Sequence, residues 1–226
     1  FWLSSDSEVE KLLDFLNKKF NNLKKFAIIY INDEYGQGAK EKFKKDFSGE
    51  ILLEEGYSPQ ETDFKTISTK VKNSNVDGIL VIGYTPAFAA LLKQIKEMKI
   101  DKPLFSFVPA TFRPIIKAAG DAIEGVYATG IIVSNTPQAQ DFVAKYKSKY
   151  NKDPDVYAVN SYETMQLLVD VMRKYGSSNE AIRSGLRKVK NYPGITGNLS
   201  IKENGDVIFD VKILQIQNGV PVLINY

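Results

Sequence analysis

Five short apolar runs alternate with helix-period segments through residues 1–132, and no other feature restricts the possible folds as tightly. The runs are 26–31, 51–57, 78–84, 103–108 and 125–132. Most are continuously apolar, the pattern of strands buried on both faces of a parallel sheet. Between them Ala39, Phe43 and Phe47 share one helical face, as do Phe64, Ile67 and Val71, and Phe88, Leu91, Leu92 and Ile95. A strand–helix–strand repeat of this kind builds an α/β fold: an open parallel sheet with helices on both faces. Ahead of it, residues 5–20 read as a further helix. Ser7 with Glu10 is a candidate capping box there, and Val9, Leu12, Leu13 and Leu16 form the apolar stripe.

After residue 132 the rhythm changes. Residues 137–150, 156–175 and 179–189 read as three helices with no strand between them, so they need an apolar surface from elsewhere; the expected supplier is a portion of the protein before Phe1. The tail is β-rich. Asn204-Gly205 and Asn218-Gly219 are both candidate two-residue hairpin turns.

Composition removes much catalytic chemistry. With no Cys and no His, thiol nucleophiles, Ser–His triads and imidazole or thiolate metal sites are excluded from these residues. Thirty Lys and Arg against 27 Asp and Glu give a net charge of only +3, with the signs interleaved, so no basic stripe for nucleic acid is expected. The most apolar stretch, 79–92, is interrupted by Thr85 and Pro86 and is shorter than the ~20 residues of a membrane span. Gly36-Gln37-Gly38 lacks the third small residue of a dinucleotide fingerprint, because that place is Glu41. No P-loop is present. No cofactor is expected.

Ligands of open parallel sheets settle at the carboxyl ends of the strands. Three loops converge on that edge: 32–38, 84–86 and 108–111, the first two bringing Tyr35 and Tyr84. A tyrosine there offers a flat apolar face and a hydroxyl that both donates and accepts; equally, it can simply cover the top of the sheet.

Several segments at consistent spacing resemble the leucine/isoleucine/valine-binding protein family of the type I periplasmic binding proteins. They are FAIIYINDEYGQG at 26–38, Tyr57-Ser58-Pro59 with Glu61-Thr62-Asp63-Phe64, residues 77–84, Glu124-Gly125-Val126, residues 146–157, Ser161-Tyr162, and GITGNLSIKENGDV at 194–207. The resemblance implies two lobes that close on a ligand, with three chain crossings between them. It assigns 1–132 to the second lobe, 133–205 to the returning part of the first, and 206–226 to strands that rejoin the second. It points to Tyr35, Tyr84, Val108 and Tyr162 as ligand-binding positions.

At Val108 the family places an acidic residue that holds a ligand ammonium. The departure suggests a ligand other than a simple α-amino acid, or a cation held by the missing lobe, because a lost charge-assisted hydrogen bond is worth roughly 1.5–3 kcal/mol. Arg113 is a candidate partner for an anionic group.

The implied role is a non-enzymatic solute receptor of an ABC importer, working with an ABC permease and carrying a small-molecule ligand such as an amino acid or related solute. The implied location is periplasmic or extracellular, with lipid anchorage through a missing N-terminus as one form. A sensory ectodomain of a signalling receptor is the alternative, and an Asp/Glu-dependent hydrolase a third reading. Residues that hold the ligand carboxylate in the family lie outside this sequence, so the 226-residue chain is expected to bind ligand weakly or not at all.

Overall fold

The computed structural model describes residues 3–226, which divide into two compact units. One comprises Glu8–Gly130 and Lys212–Tyr226; the other comprises Ile131–Val211 with the residues up to Ser7.

The larger unit is the α/β sheet. Its strands are β1 (Lys25–Ile31), β2 (Glu50–Tyr57), β3 (Gly78–Ile82), β4 (Leu104–Ser106), β5 (Tyr127–Gly130), β9 (Lys212–Gln217) and β10 (Val220–Leu223), arranged in the order β10-β9-β5-β4-β3-β1-β2. β1 to β5 run parallel, whereas β9 and β10 add antiparallel. Every residue of β3 is buried, because helices cover both faces of this central strand. The edge strand β2 instead alternates, leaving Leu52 37% exposed. One core layer gathers Ile29, Ile79, Val81, Phe88, Leu92 and Ile123; the other gathers Leu12, Phe15, Phe26, Phe43, Leu80 and Phe105.

Helix α1 (Ser5–Lys19) contributes Val9, Leu12, Leu13 and Leu16 to the second layer, as its stripe predicts. Its cap differs from expectation. Ser4 Oγ lies 3.4 Å from the Ser7 N–H, so the capping residue is Ser4 and the Ser7–Glu10 box does not form. Helices α2 (Glu34–Asp46), α3 (Lys65–Asn73), α4 (Pro86–Glu97) and α5 (Arg113–Ala119) fill the crossovers. Thus Gly36-Gln37-Gly38 lies in the first turns of a helix.

The Asn-Gly pairs part company. Asn218 and Gly219 both have positive φ, 52° and 71°, and join paired Gln217 and Val220 in a two-residue turn. Asn204-Gly205 instead sits in the longer connection between β7 (Gly197–Ile201) and β8 (Val207–Ile208), whose last pair is Ile201 with Val207.

In the smaller unit, α6 (Pro137–Tyr150), α7 (Val156–Tyr175) and α8 (Asn179–Arg187) accompany a three-stranded sheet β6-β7-β8, with β6 at Tyr192–Gly194. Helix α7 buries Val159, Glu163, Leu167 and Val171 along one stripe, while Met165 is 57% exposed. A groove of about 630 Å³ lies between α7, α8 and the β7–β8 connection, lined by Leu167, Ile182, Leu186, Ile201 and Val207. The Glu163 carboxylate accepts from the Thr196 N–H at 3.0 Å and from its hydroxyl at 2.8 Å, fixing the β6–β7 turn to α7. Glu163→Ala leaves those buried donors without an acceptor and should cost about 2 kcal/mol in urea unfolding. An unchanged midpoint would contradict this tether.

No helix of the described residues is long and apolar enough to cross a membrane.

Candidate functional site

The carboxyl edge of β1, β3 and β4 collects the chemistry of the larger unit. At the end of β1 the chain turns through Asn32 and Asp33 into α2. Asp33 is its N-cap, one carboxylate oxygen accepting from the Gly36 N–H at 2.8 Å. The turn is tight because Gly36 packs its Cα against the end of β1; a Cβ there would lie 1.9 Å from the Ile31 carbonyl oxygen. This close approach puts Tyr35, the residue before it, at the top of the sheet.

Tyr84 follows β3 and meets Tyr35 edge to face, with ring centroids 6.0 Å apart. Its hydroxyl donates to the second carboxylate oxygen of Asp33 at 2.5 Å, so Asp33 serves both the helix cap and the tyrosine. That bond to Asp33, with some burial, raises the Tyr84 hydroxyl pKa above its ordinary value of 10.0. Tyr84 is 44% exposed. Beneath the pair, Tyr57 at the end of β2 is buried and donates to the Ile82 carbonyl at 3.0 Å. At the start of α4, Thr85 holds a buried hydroxyl oxygen that has no hydrogen-bond partner.

After β4, Val108 opens a short 3-10 turn, Val108–Thr111. Its side chain is buried and its N–H donates at 2.8 Å to Glu8, on α1. The same Glu8 oxygen accepts from the Thr129 hydroxyl on β5 at 3.0 Å, and the other accepts from the Tyr35 hydroxyl at 3.1 Å. A carboxyl group therefore does stand at the fourth loop, delivered by residue 8. It is 1% exposed. Burial outweighs the three hydrogen bonds, all from neutral groups, and pushes its pKa up to about 7 from an ordinary 4.5. Burial and the nearby Glu8 likewise hold the Tyr35 hydroxyl well above 10.0.

Of the four positions singled out in the sequence, the structure brings together Tyr35, Tyr84 and the Val108 backbone in the larger unit. Tyr162 belongs to the smaller unit. Its ring lies 4.3 Å from that of Phe142, and its hydroxyl accepts from the Gln166 side chain at 2.9 Å. Arg113 is exposed at the start of α5.

A family model described as "periplasmic binding protein" matches residues 2–220. The chain belongs to the periplasmic binding protein family. Among curated relatives of this family it is 27% identical over 190 residues to the leucine-, isoleucine-, valine-, threonine- and alanine-binding protein of Pseudomonas aeruginosa, covering 81% of this chain and 50% of that one. The solved leucine-binding protein of Thermotoga maritima superposes with a TM-score of 0.87 at 24% identity, over 96% of this chain and 65% of that chain. A solute-binding protein of Rhodopseudomonas palustris, solved with benzoate, matches with a TM-score of 0.82 at 19% identity, over 98% of this chain and 62% of that chain. The chain thus spans about half the length of the curated relatives it matches, and the fold is that of type I periplasmic binding proteins.

Glu8 and Asp33 were the functional-edge residues that sequence reasoning passed over. In sequence, Asp33 is one acid of the adjacent pair Asp33-Glu34. The signal for Glu8 was present, since residues 8, 12 and 16 recur on one side of α1 with Leu12 and Leu16, placing a carboxyl on the apolar stripe. A charge there is buried only if other elements satisfy it, and those elements are 27 to 121 residues away.

Proposed function

We propose that this protein is the solute-binding component of an ABC importer, taking a branched-chain amino acid or a related small organic solute between two lobes and handing it to a permease. It works outside the cytoplasm and binds its solute without transforming it. The observation that carries the reading is the Tyr35–Tyr84 pair, rings 6.0 Å apart at the carboxyl edge of a parallel sheet, in a chain of this family.

The pair provides an apolar wall for an aliphatic or aromatic side chain. Asp33 adds a negative charge beside it. Tyr162, in the smaller unit, is a further ligand-binding position by family resemblance alone.

A thermal-shift screen of the full-length protein against L-leucine, L-isoleucine, L-valine and benzoate tests the proposal, because a ligand that binds only the folded state raises the melting temperature. At least one compound should shift it. Tyr35→Ala and Tyr84→Ala should each weaken that compound at least tenfold, about 1.4 kcal/mol; at Tyr84, 44% exposed, this comes without a comparable loss of unliganded stability, whereas Tyr35→Ala also gives up the bond to buried Glu8. Equal affinity in parent and both variants would remove the site.

A further inference from the structure

Glu8, 1% exposed, is a buried carboxyl of the larger unit and does not face solvent. Its three hydrogen bonds reach three separate elements: the Tyr35 hydroxyl on α2, the Val108 N–H after β4 and the Thr129 hydroxyl on β5. The Val108 and Thr129 bonds both fall on Oε1, leaving Oε2 to Tyr35. The groups that bear on Tyr35 beyond Glu8 are Asp33 and Tyr57, with the Tyr84 ring against its own.

We propose that Glu8 is a positioning residue of the ligand site, acting through the Tyr35 hydroxyl: as a carboxylate it accepts that hydroxyl's hydrogen bond, so that Tyr35 then meets a ligand as a hydrogen-bond acceptor and ring face and selects solutes that present an N–H or O–H donor there. The reasoning follows from the donor inventory. A carboxylate only accepts, so a tyrosine bonded to it must donate its single hydrogen inward. The phenolic oxygen then keeps only lone pairs for anything at the rim.

If Oε2 takes up a proton, the direction reverses. The carboxylic acid donates to the phenolic oxygen, and the Tyr35 hydrogen turns outward as a donor. The same reversal follows from Glu8→Gln, whose Oε1 retains the Val108 and Thr129 bonds while its amide donates to Tyr35. The proton that Glu8 holds up to about pH 7 places this change within the neutral range.

The inference deepens the solute-binding reading and rests on it for its ligand half, but its structural half is testable without ligand. Tyrosine resonance-Raman bands report whether a phenol donates or accepts. In the unliganded protein, a parent-minus-Tyr35→Phe difference spectrum should change from acceptor to donor character as pH rises from 5.5 to 8.5, with a midpoint near 7. The corresponding spectrum of Glu8→Gln should stay at acceptor character throughout. No transition in the parent, or the same transition in Glu8→Gln, would overturn the proposal.

For the ligand half, L-leucine is titrated calorimetrically at pH 8 into the full-length parent, Glu8→Gln, Tyr35→Phe and the double variant. Glu8→Gln should change affinity at least fivefold in the parent and less than twofold in the Tyr35→Phe background. An undiminished effect in that background would show that Glu8 does not act through Tyr35. If L-leucine and the other screened solutes fail to bind the parent, the importer reading fails, and the spectra still decide the role of Glu8.

Discussion

Gly36→Ala is expected to destabilise the seven-stranded unit by about 3 kcal/mol, although alanine is the better helix former. The added Cβ would stand 1.9 Å from the Ile31 carbonyl oxygen and 2.9 Å from its carbon, which is backbone belonging to the buried strand β1 and cannot swing away. Helix α2 has to shift, and with it the Asp33 cap and the Tyr35 ring. Gly38→Ala, two residues further along the same helix at an exposed position, is the matched control. It should be neutral or stabilising by up to about 1 kcal/mol, since the position is exposed and alanine is the better helix former. Chemical denaturation of the two variants reads the difference directly. Equal stabilities would mean that Gly36 is not pressed against β1, and that the placement of Tyr35 has another cause.

The second large effect is on the pH dependence of stability. Glu8 ionises at about pH 7 in the folded chain and at an ordinary 4.5 when exposed. Between those values the native state keeps a proton that the unfolded chain has released, so raising the pH through this window favours unfolding. The group's contribution is greatest below 4.5 and is lost by about pH 7, a change of about 3 kcal/mol. Asp14 and Asp77 act in the opposite sense. Lys18 bonded to Asp14, and the Lys24 and Lys25 N–H groups bonded to Asp77, hold both carboxyls below their ordinary 3.8, so their stabilisation disappears only in stronger acid.

Urea unfolding of parent and Glu8→Gln at pH 5 and pH 8 separates these terms. The parent should lose about 3 kcal/mol more than the variant between the two conditions. Glu163, whose burial also raises its pKa, is common to both chains and cancels. Parallel pH profiles would show that residue 8 carries its charge at little cost.

These two expectations bear on one site from opposite sides. Gly36 sets where Tyr35 stands, through backbone contact with β1. Glu8 sets which way its hydroxyl points, by accepting its hydrogen bond on α1. Both act on the same pair of rings, Tyr35 and Tyr84.

What the sequence determined by itself is the set of local decisions. Strands covered on both faces must be apolar at every position, so the run 78–84 read as a buried strand, of which β3 takes Gly78–Ile82, and the helix stripe Phe88, Leu91, Leu92 and Ile95 was readable from its own period. Asn218-Gly219 fixed its turn because both residues tolerate positive φ. The family resemblance pointed to Tyr35, Tyr84, Val108 and Tyr162.

Tertiary structure alone decided who meets whom. Tyr35 and Tyr84 lie 49 residues apart in sequence and touch because β1 and β3 are neighbours in the sheet. Asp33 became shared between a cap and a tyrosine for that reason. Glu8 changed from an unremarkable helix acid to a buried carboxyl because three distant elements supply its hydrogen bonds. The energy of a buried charge depends on partners that pattern and propensity, being local, do not encode.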